Sequence, residues 1–193
     1  MWSELRRKAM DVVIEFQRKA RSLSVDAFRQ LYPNYFLYKF GKRVRDTQES
    51  EPDIDYATRT LSLNFDPLPG VSQVVVVKKN PENPFPDRIS IGRATNCDVV
   101  IRLAFVSKVH AHLIIQADKL SLRDKLTLRD NKASNFTFVN HRRLEPGSSR
   151  SVKLGDIVSF GALDLELVDA ARLYEILRTG AAAPTTAVPA PRR

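Results

Sequence analysis

The chain has 193 residues, room for one ordinary domain with extra structure or at most two small domains. Its 43% hydrophobic and 27% charged residues match an ordinary folded chain and exclude wholesale disorder, a collagen-like repeat and a membrane bundle. The net charge of +9 is unevenly spread: residues 1–46 carry +6, 47–70 carry −4, 71–169 carry +4 and 170–193 carry +3.

A single cysteine, Cys97, allows no intrachain disulfide. Charged residues between Glu4 and Glu15 interrupt any signal-peptide core. No run of about 18 apolar residues predicts a transmembrane helix, and the expected compartment is the cytosol.

In chain order, the first 23 residues read as a helix. Trp2, Leu5, Ala9, Val12, Phe16, Ala20 and Leu23 fall at spacings of three and four and so line one face. Ser22 or Ser24 caps a second short helix through Phe28 and Leu31, and Pro33 stops it. An aromatic cluster, Tyr32 to Phe40, leads into the basic residues Lys39, Lys42, Arg43 and Arg45. Residues 46–57 are acidic and poor in aliphatics, as a linker is. Leu61, Leu63 and Phe65 alternate with polar residues and predict a short strand or docked extended segment.

From Val71 the periodicity turns strand-like. Short β-branched runs at 74–77, 88–91, 98–101, 111–116, 120–123, 126–129, 137–140, 151–153, 156–160 and 163–168 alternate with turn residues such as Asn80-Pro81, Asp130-Asn131 and Pro146-Gly147. About 10–11 strands with no helical interval predict a mainly β chain, an antiparallel β-sandwich. The organisation expected is a helical N-terminal region over 1–45, an acidic linker over 46–60, the sandwich over 61–170, a short helix over 171–179 and a disordered tail over 180–193. Ala- and Pro-rich composition after Gly180 builds no core.

Catalytic signatures are missing. There is no Gly-x-Ser-x-Gly, and no Gly-rich loop ends in Lys-Ser/Thr. His110 and His112 share a sheet face if both lie in a strand, and with His141 they offer a zinc site; the plainer expectation is one structural and two surface histidines. No enzyme, cofactor or metal is expected.

Four segments carry the information. They are Gly92-Arg93, Ser107-Lys108-Val109-His110, Ser134-Asn135-Phe136-Thr137 and Asn140. In this order and spacing they resemble the forkhead-associated (FHA) domain, whose pattern is Gly-Arg, Ser-x-x-His, Ser/Thr-Asn-Gly-Thr and a following Asn. The resemblance spans residues 71–169. It implies an FHA-like sandwich that binds phosphothreonine peptides and lacks catalytic activity.

Residue by residue, the resemblance places Arg93, Ser107, Lys108, Ser134 and Asn135 on the phosphopeptide. It also implies a small apolar pocket for the threonine methyl. His110 is then structural, bracing the binding loops, with Thr137 and Asn140 stabilising turns and Gly92 letting the backbone turn tightly behind Arg93.

The chemistry is consistent with those roles. A phosphothreonine offers a near-dianionic group with three acceptor oxygens. A planar guanidinium can take two of them, a serine hydroxyl a third, and an asparagine amide can both donate to and accept from a peptide main chain. One position departs from the pattern: Phe136 stands where the family has glycine. Either the loop turns differently or Phe136 points outward; a rebuilt loop would weaken the hold of Asn135.

The expected partner is a phosphothreonine-containing protein or peptide made by a Ser/Thr kinase pathway. The same pocket would take an intramolecular ligand if Thr47, Thr58 or Thr60 were phosphorylated. Two other readings compete. The basic residues 1–46, with Trp2 on an amphipathic helix, suit nucleic acid or an acidic membrane, although an apolar stripe that packs on the sandwich or on a second copy, with the bases as a wet face, explains them more simply. A degenerate, phosphate-independent scaffold is the other, and Phe136 is its motive.

Overall fold

A computed structural model describes residues 13–33, 35–40, 72–81, 83–117 and 124–179. The acidic stretch with Thr47, Thr58 and Thr60, the expected strands at 61–65 and 120–123, and the expected tail all lie outside the described residues.

Two helices come first: α1 (residues 13–22) and α2 (Val25–Leu31). Ser24 is the cap of α2, its hydroxyl accepting from the Ala27 amide at 3.3 Å. Eleven strands follow: β1 (Tyr35–Lys39), β2 (Gln73–Val77), β3 (Ile89–Gly92), β4 (Val99–Val100), β5 (Ala111–Ala117), β6 (Asp124–Asp130), β7 (Thr137–Val139), β8 (Arg142–Arg143), β9 (Ser149–Val152), β10 (Ile157–Phe160) and β11 (Leu163–Val168). Helix α3 (Ala170–Thr179) closes the described chain, its first turn capped by Asp169, whose carboxylate accepts from the Arg172 amide at 2.8 Å.

The strands form two sheets, one ordered β2-β1-β11-β10-β7-β8 and the other β4-β3-β5-β6-β9. The expected β-sandwich is therefore present, and its pairs are antiparallel except for β3 with β4, which run parallel.

The N-terminal region needs correction. Residues 35–39, expected inside a helical segment, form a strand in the interior of the larger sheet, flanked by β2 and β11. The two-residue strand β8 was also not foreseen.

Alternation along these strands builds two cores. Between the sheets lie Leu37, Ile91, Leu113, Leu128, Phe160, Leu165 and Leu167. On the outer face of the larger sheet, Phe36, Tyr38 and Val168 meet Val13, Phe16 and Ala20 of α1, Phe28 of α2 and Leu173, Ile176 and Leu177 of α3. Phe16 packs edge-on against Phe36 with ring centres 5.8 Å apart, and Phe28 likewise against Tyr174 at 5.5 Å. Where it is described, the apolar stripe of the first helix thus packs on the sandwich. Among the described residues no helix is long and apolar enough to cross a membrane.

Candidate functional site

The loops after β3, before β5 and before β7 meet at one end of the sandwich. They enclose an open cleft of about 560 Å³, and Arg93, Ser107, Lys108, Ser134 and Asn135 all line it. Ala104, Phe105, Val106, Val109, Asn131 and Lys132 complete the wall.

Gly92 sets the first approach. A Cβ at this position would collide with the Lys108 carbonyl and press on the Val109 Cα, so only glycine lets the β3 end lie against the 107–109 backbone. The reason is close approach rather than the tight turn expected from sequence. The Arg93 amide then donates to the Ser107 carbonyl at 2.9 Å and the Ala94 amide to the Lys108 carbonyl at 2.9 Å. The Arg93 side chain is anchored at its root, Nε donating to the Val106 carbonyl at 3.2 Å. The rest of the residue is exposed at the cleft. Among the described residues, no ion pair involves Arg93, Lys108 or Lys132.

His110 ties two of the loops together. It is fully buried, edge-on to Phe160 at 5.5 Å. Its Nδ1 accepts from the Ser107 amide at 3.1 Å, so the ring proton sits on Nε2, which donates to the Phe136 carbonyl at 3.1 Å. Burial holds its pKa below the ordinary value, against the pull of the Phe136 carbonyl and Asp130. The imidazole is therefore neutral at physiological pH.

His112 points the other way, toward Arg88 and Arg129 on the outer face of the smaller sheet. Burial and those two cations lower its pKa. The shared histidine face on which a zinc site would depend does not form. Among the described residues no cluster of His, Cys, Asp or Glu suits a metal ion.

Ser107 Oγ accepts from the Ser134 amide at 3.1 Å, which joins the second loop to the third and leaves its hydroxyl hydrogen to donate into the cleft. The Asn135 amide nitrogen donates to the Phe105 carbonyl at 2.8 Å, leaving its oxygen as acceptor.

Sequence reasoning missed the hub beneath this loop. Buried Asp130 accepts from the Thr137 hydroxyl at 2.6 Å and from the amides of Lys132, Ala133 and Gly147 at 2.7, 3.3 and 3.1 Å. An Asp-Asn pair after a strand was its only trace in the sequence. Asn140 joins two turns, its amide donating to Asp156 at 2.8 Å and its oxygen accepting from the Ile157 amide at 2.9 Å.

Phe136 keeps a backbone conformation that suits glycine, with φ 58°. Its amide donates to the Ala133 carbonyl at 3.2 Å, and its own carbonyl accepts from the Gly161 amide at 3.1 Å as well as from His110. The ring lies under the Arg143 guanidinium, 3.7 Å from its centre. Of the two alternatives for this loop, the left-handed turn is retained and the side chain is only half-buried.

A sandwich whose inter-strand loops gather Gly-Arg, Ser-x-x-His and Ser-Asn at one end defines a class. Residues 89–161 match the family model of the FHA domain, and this part of the chain is an FHA domain. Among curated proteins, the ABC transporter ATP-binding/permease protein Rv1747 of Mycobacterium tuberculosis is 33% identical over 84 residues, 44% of this chain and 9% of that protein. The chain thus spans under a tenth of that relative's length. Solved structures similar to it include the FHA domain of CT664 protein from Chlamydia trachomatis (16% identity, 70% of this chain and 97% of that one, TM-score 0.43). Another is the N-terminal FHA domain of Rad53p from S. cerevisiae in complex with a phosphothreonine peptide (17% identity, 53% and 88%, TM-score 0.40).

Proposed function

We propose that the chain is a non-catalytic module that binds phosphothreonine peptides and docks onto proteins phosphorylated by Ser/Thr kinases. One observation carries this reading: Arg93, Ser107, Lys108, Ser134 and Asn135 line a single cleft, within a segment that matches the FHA domain. A guanidinium fixed at Nε keeps its Nη groups for two phosphate oxygens. The Ser107 hydroxyl donates to a third oxygen, Lys108 adds charge at the rim, and the Ser134–Asn135 turn holds the peptide main chain. Phe105, Val106 and Val109 supply the apolar wall that suits a threonine methyl.

Calorimetric titration with matched phosphorylated and unphosphorylated threonine peptides tests the proposal. The phosphorylated peptide alone should bind, and Arg93→Ala should weaken it by about 2–5 kcal/mol, the usual cost of truncating one partner of a hydrogen-bonded charge pair. Equal binding of both peptides would refute the reading. A phosphate on Thr47, Thr58 or Thr60 would occupy the same cleft in cis. Kinase-treated protein should then bind added peptide more weakly, and unchanged affinity after stoichiometric phosphorylation of all three would end that extension.

A further inference from the structure

Between Asn131 and Gly155 the sequence carries five Lys/Arg residues and one carboxylate, Glu145; of the five bases Lys132 lines the cleft. One of these bases, Arg143, lies over an aromatic ring. Its guanidinium carbon sits 3.7 Å from the centre of the Phe136 ring, close enough for a cation–π contact. Phe136 in turn has three backbone hydrogen bonds, to Ala133, Gly161 and His110, and His110 is the residue that also fixes Ser107. The position of the ring is thereby coupled to the bracing of the cleft, and Phe136 directly follows the cleft residue Asn135.

The strand that carries Arg143 is held as well. Arg150 donates from Nη1 to the Arg142 carbonyl at 3.2 Å and from Nη2 to the Arg143 carbonyl at 3.4 Å. Both Arg142 and Arg143 are exposed, and among the described residues neither takes part in an ion pair.

A guanidinium stacked by its face on an aromatic ring keeps its N–H groups in the plane of the fork, where they can take a carboxylate bidentately. The glycine found at this place in the family pattern has no ring to offer such a platform.

We propose that Arg143, laid on Phe136, is a specificity-determining residue that reads an acidic side chain, Asp or Glu, of the bound peptide on the Asn135 side of the phosphothreonine. The proposal rests on the phosphopeptide reading of the cleft. On this view Phe136 adds a second recognition element rather than marking a degenerate site.

The test uses the full chain and a set of phosphothreonine peptides on a neutral background, each carrying one Glu at a different position from four before to four after the phosphothreonine. Binding is read by fluorescence anisotropy. At one position Glu should tighten binding by roughly 3- to 30-fold, in the range of a charge-assisted pair at a partly exposed site. Arg143→Gln should erase that gain while leaving affinity for the neutral phosphopeptide within about twofold, and Arg143→Glu should shift the preference at that position to Lys. Phe136→Leu should shrink the gain, because the apolar volume stays but the platform goes.

A gain at no position, or a gain that survives Arg143→Gln, overturns the role of Arg143. The cleft reading would still stand if the neutral phosphopeptide binds and Arg93→Ala weakens it. Failure of every phosphopeptide to bind the unaltered chain overturns both.

Discussion

Gly92 and His110 show how single residues shape the cleft without facing it. A methyl group at position 92 would overlap backbone, not a flexible side-chain tip, so the neighbours cannot give way cheaply. Gly92→Ala is expected to cost roughly 1–3 kcal/mol of folding stability, as overpacking does, and to separate Arg93 from Ser107; urea denaturation with a parallel peptide titration measures both. His110→Ala would strip partners from the Ser107 amide and the Phe136 carbonyl, with an expected loss of about 1–3 kcal/mol for each group left unsatisfied.

The same histidine makes stability depend on pH. Its folded-state pKa lies below the free value of about 6.5, so on acidification the unfolded chain takes up the proton first. Stability should be flat above that pH and fall as the pH drops below it, until the folded-state pKa is reached. His112, also lowered, adds to the fall with the same sign. Asp98 acts in a lower window. Burial would raise its carboxyl, but donors from Ser90, Asn80 and Lys79 outweigh that and hold it below the ordinary range, so its stabilisation persists above about 3.8 and is lost in stronger acid. Urea midpoints from pH 8 to pH 3 should show two descents, and a flat profile between pH 7 and 5 would contradict a neutral buried His110.

At the scale of elements, β1 decides how far the N-terminal region belongs to the sandwich. Phe36 and Tyr38 face the helices while Leu37 faces the inter-sheet core, so the strand is apolar on both faces. That is why its aromatic run carried no alternation to mark it as a strand, and why proximity to a helical pattern drew it into the wrong class. Strands with one wet face, such as β5 with Leu113 inside and His112 outside, were legible from alternation alone.

The motif residues of the cleft were legible too, because each loop begins or ends at a strand that the sequence marks. The Asp130 hub was not, since an aspartate after a strand looks like any turn residue. Nor was the left-handed Phe136, whose ring contact with Arg143 joins residues that the pattern treats separately. Phe28→Ala, which empties a fully buried site between α1, α2 and α3, should cost about 3–5 kcal/mol. Removal of residues 1–40 should do worse by exposing the flanks of β2 and β11; thermal melting of the shortened chain checks this.

Across the whole molecule, charge is sorted by region and not simply in excess. The helical layer covers one sheet face with apolar residues while its exposed side carries Arg18, Lys19, Arg21 and Arg29. The cleft lies among separate loops, with Arg93, Lys108 and Lys132 around it. If the proposed phosphopeptide reading holds, binding there depends on one compact anion and its affinity should decline only gently with salt, whereas a polyanion held by many cations is released steeply. A titration between 50 and 200 mM salt separates the two, and a loss of about a thousandfold would favour a polyanion. Binding should also weaken below about pH 6, where the phosphate gains its second proton.

The place of β1 has a consequence for biosynthesis. One of its neighbours in the sheet is contributed by residues 73–77, the other only by residues 163–168. A growing polypeptide therefore makes the first strand early and must hold it half-paired until almost the whole sandwich has left the ribosome. Over that interval the run from Tyr35 to Lys39 is an adhesive edge, and residues that merely complete a sheet in the finished protein become the ones most in need of a chaperone.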